Sequence, residues 1–262
     1  MTTHRHIAAL VLSAAAIAAC GTTAQTDITA PAPSAKVLFF NEGLNSPGVN
    51  LFADSTKLTA ISSSSGAQTP VGTTYSQVAV GGYYTGLAAG QHTLSGRLSD
   101  TTAANRNIVI SSVSTTLADG KWYSYYQAGP YDATAKKVDA FVVEDPIAAT
   151  IDYSVANVRL VNAIYNANPG TLTVTNADTS IHPTPPPSVI GGSIAYKSAG
   201  AYVAIPAGSY SLSVAGLGAT PVIHAAVALT GGRYYTITAR GDMTVVSNKL
   251  TTYPTLDNQA NR

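Results

Sequence analysis

Short apolar runs separated by turn residues set the pattern of this chain. Val37-Leu38-Phe39-Phe40 and Val158-Arg159-Leu160-Val161 are bounded by polar or turn residues and have the length of strands. Residues 48–52 and 171–174 follow them, each after a Pro-Gly turn. Residues 92–98 and 210–214 alternate with period two, the spacing of a half-buried strand. Asp119-Gly120 and Gly231-Gly232 predict tight hairpins, because a primed turn needs the positive φ that Gly tolerates. They join 108–117 to 121–127 and 221–229 to 234–239. Residues 140–143 and 243–246 are predicted to close the two series. No segment carries a persuasive helical period.

The series is doubled. Lys36 to Asn41 aligns with Asn157 to Asn162, and Pro47-Gly48 with Pro169-Gly170. Tyr84 to Gly90 aligns with Tyr202 to Gly208, Leu117 to Tyr123 with Leu229 to Tyr235, and Gly129 with Gly241. The order is kept while the offset drifts slowly, as loop insertions and deletions produce. The predicted fold is all-β: two tandem antiparallel β-sandwich (immunoglobulin-like) domains, at 35–150 and 155–250. Residues 145–154 read as the linker and 251–262 as a C-terminal tail. The blocks VxLxN…PG(x)LxV, YxxLxAGxxxLxV and LxxGxxYTxxxxG resemble the bacterial envelope family called domain of unknown function 4397, over most of 36–250. The resemblance implies a β-sandwich and an exported location, and it implies no reaction. The Asn-rich loops after Asn41 and Asn162 and a Pro-rich insertion in the second repeat depart from that pattern.

The N-terminus reads as an address. Residues 1–19 have a short basic start at Arg5 and an apolar run, IAALVLSAAAIAA, shorter than the roughly 20 residues of a spanning helix. Ile17-Ala18-Ala19-Cys20-Gly21 resembles the lipobox of bacterial lipoproteins, with the chain's one Cys where lipid is attached. An ordinary secretory signal is the plainer alternative. Residues 20–34 then form a lipidated Cys and flexible tether rich in Thr, Ala and Pro. The expected location is the cell envelope, at the outer membrane in a Gram-negative cell, since Gly rather than Asp follows the Cys.

Composition removes several function classes. Only 10% of the 262 residues are charged, where about a quarter is ordinary. Net charge is +1, and loss of Arg5 with the leader brings it to zero, so no basic field for nucleic acid exists. One Cys excludes an intrachain disulfide and a CxxC site. His92, His182 and His224 have no metal-ligand spacing. His92 and His224 read as satisfied or surface strand residues, and His182 opens a Pro-rich loop that suits a stiff connector. Ser62 to Ser65 sit in a Gly/Ser/Thr loop, with no nucleophile elbow, phosphate loop or calcium loop anywhere. Asp139, Glu144, Asp145 and Asp152 near the junction read as a solvated linker or a weak cation site. No cofactor or metal is expected.

Aromatic residues carry the remaining signal. Trp122, Tyr123, Tyr125 and Tyr126, with Tyr83 and Tyr84, form dense clusters. Alternation sends Trp122 and Tyr126 to one sheet face and Tyr123 and Tyr125 to the other. Strand packing is the stronger reading; an exposed strip for sugar rings or a protein is the other. The expectation is a non-enzymatic, lipid-anchored structural or interaction module, meeting the membrane through Cys20 and an unidentified envelope protein or polysaccharide. Carbohydrate binding or adhesion is the alternative, and a hydrolase with residues converging only in space is a third class.

Overall fold

The structure is a computed structural model that describes residues 34–59, 72–100, 102, 104–178 and 187–261. The leader, Cys20, the tether, Ser62 to Ser65 and His182 lie outside the described residues. Ser34 to Arg262 forms one compact unit. The first repeat contains β1 (Ser34–Leu44), β2 (Val49–Ala53), β3 (Thr56–Lys57), β4 (Gln77–Val78), β5 (Thr85–Ala88), β6 (Gly90–Leu98), β7 (Val109–Leu117), β8 (Trp122–Asp132) and β9 (Lys137–Glu144). The second contains β10 (Val155–Asn162), β11 (Gly170–Asn176), β12 (Ser188–Ile194), β13 (Ser198–Ala199), β14 (Val203–Pro206), β15 (Gly208–Ala215), β16 (Val222–Leu229), β17 (Tyr234–Arg240) and β18 (Thr255–Ala260).

Each repeat is a two-sheet sandwich. One sheet of repeat 1 runs β3-β2-β6-β7 and the other β4-β1-β8-β9, with β5 also on β1. Repeat 2 copies this as β12-β11-β15-β16 and β13-β10-β17-β18, with β14 on β10. All pairings are antiparallel except β1 with β8 and β10 with β17, which are parallel. Gly120 and Gly232 are left-handed, at φ 70° and φ 78°, but the expected hairpins do not form: β7 and β8, and β16 and β17, lie in different sheets, so each tight turn carries the chain across the sandwich instead of pairing its flanking strands.

The repeated motif residues turn out to hold backbone. Asn41 Oδ1 accepts from the Gly43 amide and Nδ2 donates to the Thr73 carbonyl. Asn162 does the same with Ile164 and Ile194. Tyr123 OH accepts from the Ala118 amide, and Tyr235 OH from the Thr230 amide.

Each sandwich has its own core, and a third apolar cluster joins the two. Val37, Phe39, Tyr123 and Tyr125 face the interior of repeat 1. Leu38, Phe40, Tyr126, Ala128 and Phe141 point the other way and meet Val161 and Ala163 of repeat 2. The β1-containing sheet therefore packs face to face with the β10-containing sheet. These two inner sheets are covered on both sides, which explains the unbroken buried runs in β1, β8, β10 and β17. Phe40, Tyr126 and Phe141 are register neighbours on β1, β8 and β9. Their rings stack with centroids 4.4 and 5.0 Å apart.

A buried charge pair sits in the same interface. Arg159 of β10 donates through Nη2 to Asp145 Oδ1, through Nη1 to the Glu144 carbonyl at 2.9 Å and through Nε to Thr236 Oγ1 at 3.1 Å. Asp145 also accepts from Tyr84 OH at 2.6 Å and Ser124 Oγ at 2.7 Å. Asp145 is buried, so it is not part of a solvated linker. The reason is that both of its carboxylate oxygens find donors here.

One predicted strand is misplaced. Residues 243–246 form a loop, and Val246 is 92% exposed. Asp242 Oδ1 accepts from Thr244 N and Thr244 Oγ1, which takes a backbone donor that a strand ladder would use. The closing strand is β18, inside the segment expected to be a tail, paired with β17 and burying Leu256.

The repeat alignment supplies a test. Arg159 aligns with Leu38. Asp145 corresponds to Asn261, since each donates its amide to the carbonyl of the residue that opens the neighbouring strand, Trp122 or Tyr234. Arg159→Leu alone strands a buried carboxylate and should cost about 3–5 kcal/mol in denaturant melts. Adding Asp145→Asn should recover most of that loss. A double variant as unstable as the single would show that the stranded Asp145 carboxylate is not what destabilises the single variant.

Candidate functional site

Tyr123, Tyr125 and Tyr126 are buried, so they do not form an exposed strip. β8 lies in the sheet covered on both sides, so from Tyr123 to Gly129 neither set of alternate side chains reaches water. Tyr125 OH donates to Ser111 Oγ at 2.9 Å. Burial pushes the hydroxyls of Tyr125 and Tyr126 well above the ordinary phenol range.

Trp122, Tyr83 and Tyr84 behave differently. They stand where β8 and β5 begin, beyond the covered part of the interface, and line a groove of about 360 Å³ with Lys36, Gly82, Gly86, Arg233, Ala260 and Asn261. Tyr84 meets Trp122 edge to face, centroids 4.7 Å apart at 83°. Lys36 Nζ lies 4.1 Å from the Trp122 ring centroid, a cation–π contact. Tyr83 is 75% exposed. It leaves a turn in which Val80, Gly81 and Gly82 are successively left-handed, at φ 54°, 65° and 84°. A β-branched residue there is strained, and the chain leaves this turn with Tyr83 exposed beside Tyr84.

Tyr84 ties the groove to the interface. Its hydroxyl donates to Asp145 and accepts from Asn261 Nδ2 at 2.8 Å. Burial, then the Asp145 charge, raises its ionisation far above the ordinary value, so it stays a donor at any physiological pH. Tyr202 and Tyr234 repeat the edge-to-face pair in repeat 2, 5.0 Å apart at 90°. There Arg159 covers the Tyr202 ring at 4.7 Å.

Sequence reasoning missed Lys36, Arg233 and Asn261. They come from three segments that meet only once the β1–β8 pairing and the repeat packing exist. The one signal available was the motif alignment, which sets Arg233 opposite Lys121.

A second polar site lies across the interface. Glu42, Thr238, Asp257, Asn258 and Gln259 help line a cavity of about 230 Å³. Glu42 is buried, its Oε2 has no hydrogen-bond partner among the described residues, and Arg240 Nε lies 3.7 Å away. Arg240 is itself engaged with Asp257. Burial, then the Asp257 charge, raises the Glu42 carboxyl well above 4.5, against the pull of Arg240.

The four acids at the junction do not converge. Asp139 pairs with Lys197, Glu144 with Lys121, Asp145 with Arg159, and Asp152 caps Ser154. His92 bridges Asp54 and the Ala88 carbonyl, and His224 contacts the Leu256 carbonyl. Among the described residues no cluster of three or more His, Cys, Asp or Glu is placed to hold a metal. No helix among them is long and apolar enough to cross a membrane.

Residues 156–262, the second repeat through β18, match the family model described as a domain of unknown function (DUF4397). No curated protein matches the chain. The chain is similar to a crystal structure from Bacteroides ovatus described as a candidate cell adhesion protein, at 10% identity and a TM-score of 0.27, covering 89% of this chain and 97% of that one. A second such candidate, from Bacteroides fragilis, gives 10% identity, a TM-score of 0.23, and coverage of 81% and 77%.

Two outcomes are expected. Tyr126→Ala should cost about 3–5 kcal/mol of stability, as large-to-small core changes do. Tyr83→Ala should stay within about 0.5 kcal/mol, as exposed changes do; chemical denaturation distinguishes them. For Glu42, a raised folded-state value means its contribution is fully present below pH 4.5 and is lost as pH rises through the folded value. Glu42→Gln should therefore raise the melting temperature at neutral pH more than at pH 4, and equal shifts at both would contradict the assignment.

Proposed function

We propose that this protein is a non-enzymatic, lipid-anchored module of the cell envelope, at the outer membrane in a Gram-negative cell, acting through contact rather than turnover. One observation carries the reading: the Arg159–Asp145 network between the repeats is engaged in joining them, while cations and aromatic rings are left together at an open groove. Arg159, Asp145, Ser124 and Asn261 serve the joint. Lys36, Arg233 and Tyr83 line the groove. The lipobox-like Ile17-Ala18-Ala19-Cys20 supports the anchor, and attached lipid of two or more chains gives stable membrane retention.

A second reading, a carbohydrate-binding or adhesive surface module, is favoured by Trp122 and Tyr83 sharing that groove, since an open aromatic face suits a sugar ring.

Cys20→Ala should abolish acyl labelling of the chain in cells, and persistent label would refute the anchor. In-cell cross-linking of the tagged protein, followed by mass spectrometry, should recover a defined envelope partner or polysaccharide. Turnover of an ester or glycoside panel by the purified chain would instead establish an enzyme.

A further inference from the structure

We infer that the groove bounded by Trp122, Tyr83, Lys36 and Arg233 binds a carboxylate-bearing sugar, an inference that rests on the carbohydrate-binding reading above. Three independent requirements meet there. The first is charge. Lys36 and Arg233 line the groove, and no acidic residue does. Among the described residues neither is ion-paired to a carboxylate. A planar guanidinium takes a carboxylate with two parallel hydrogen bonds. The ammonium of Lys36 is oriented in advance by the indole beneath it.

The second requirement is a donor. Asn261 lines the same groove and is 5% exposed, and its Oδ1 has no hydrogen-bond partner among the described residues. Its Nδ2 is committed to Tyr84 OH, and Tyr84 OH in turn donates to Asp145, so the amide cannot be flipped without losing this chain of bonds. The unpartnered atom is an acceptor in the groove wall, closed to water as it stands, and a ligand hydroxyl reaches it by a small shift of the wall. The third requirement is a flat apolar face, offered by the exposed ring of Tyr83. A simple carboxylate anion has no hydroxyl for Asn261, and a neutral sugar leaves both cations unmatched. An acidic sugar has the carboxylate, the hydroxyls and the C–H face together. A volume near 360 Å³ falls within the range of small-ligand sites, about 300–1,000 Å³.

The net charge of the mature chain argues against long-range steering, and the groove does not need it. Two cations at contact distance select a carboxylate over the alcohol in its place.

Trp122 is the chain's one tryptophan, so intrinsic fluorescence of the full chain reads the groove directly. A galacturonic acid trisaccharide and sialyllactose are the acidic probes. The same trisaccharide with its carboxylates reduced to alcohols is the neutral control, and acetate is the bare anion. A saturable change with at least one acidic probe is expected, at least tenfold weaker with the control and with acetate. Lys36→Met and Arg233→Gln should each weaken binding at least tenfold, with unchanged melting temperatures. Equal response to acidic and reduced sugars, indifference to both cation substitutions, or silence toward both acidic probes would overturn the inference. A protein partner cross-linked in cells, with the acidic probes silent, would leave the contact-module reading standing and discard the sugar; absence of any partner together with turnover would discard both.

Discussion

Arg159 is a full charge removed from water between two sheets, and its carboxylate partner comes from the other repeat. A buried ion pair gains little stability over apolar packing, but each half alone is strongly unfavourable. The pair therefore acts less as an adhesive than as a condition. When the repeats separate, both charges must be resolvated, and when they dock in a wrong register, Arg159 has no carboxylate. Asp145 meets the condition because Tyr84 and Ser124 donate to its second oxygen. Around this point the apolar contacts supply the bulk of the attraction: the Phe40–Tyr126–Phe141 stack, with Tyr196 of repeat 2 edge-on to Phe141 at 6.4 Å.

The repeats solve the same folding problem with different chemistry at their interface. Tyr84 with Trp122 repeats as Tyr202 with Tyr234. The positions of Leu38 and Asn261, however, hold Arg159 and Asp145 in the companion places. One half of this pseudo-symmetric arrangement is charged and closed over Tyr202. The other half is neutral at its centre and opens to solvent beside Trp122. That asymmetry leaves an open groove beside Trp122, where the companion place has Arg159 lying over Tyr202.

The strands of both sandwiches were legible because period-two alternation, Pro-Gly turns and Gly turns are local properties; that the turns at Gly120 and Gly232 change sheet instead of closing hairpins was not. Parallel pairing of β1 with β8 was not, since sequence periodicity carries no direction. Two-sided burial had one visible sign, the unbroken Val37-Leu38-Phe39-Phe40 run, but such a run also suits a strand at the heart of a single sandwich. The same ambiguity made Tyr126 look available. The strand β18 escaped notice because Thr-Leu-Asp-Asn-Gln-Ala has only two apolar residues, Leu256 and Ala260, which pack on the core of repeat 2, and three polar residues between them. In the site, the aromatic residues were legible as a cluster. Lys36, Arg233 and Asn261 were not, because only tertiary packing makes them neighbours.

The placement of β1 has a mechanical consequence. It runs through nine register pairs with β8, from Lys36 with Trp122 to Leu44 with Pro130, and is flanked on its other edge by β4 and β5. Tension entering the body at Ser34 and resisted in repeat 2 pulls along this strand, so the ladder bonds share the load in shear instead of opening one after another from an end. A body built this way resists being drawn out by its own N-terminal side, with the strongest grip in the strand nearest the pull.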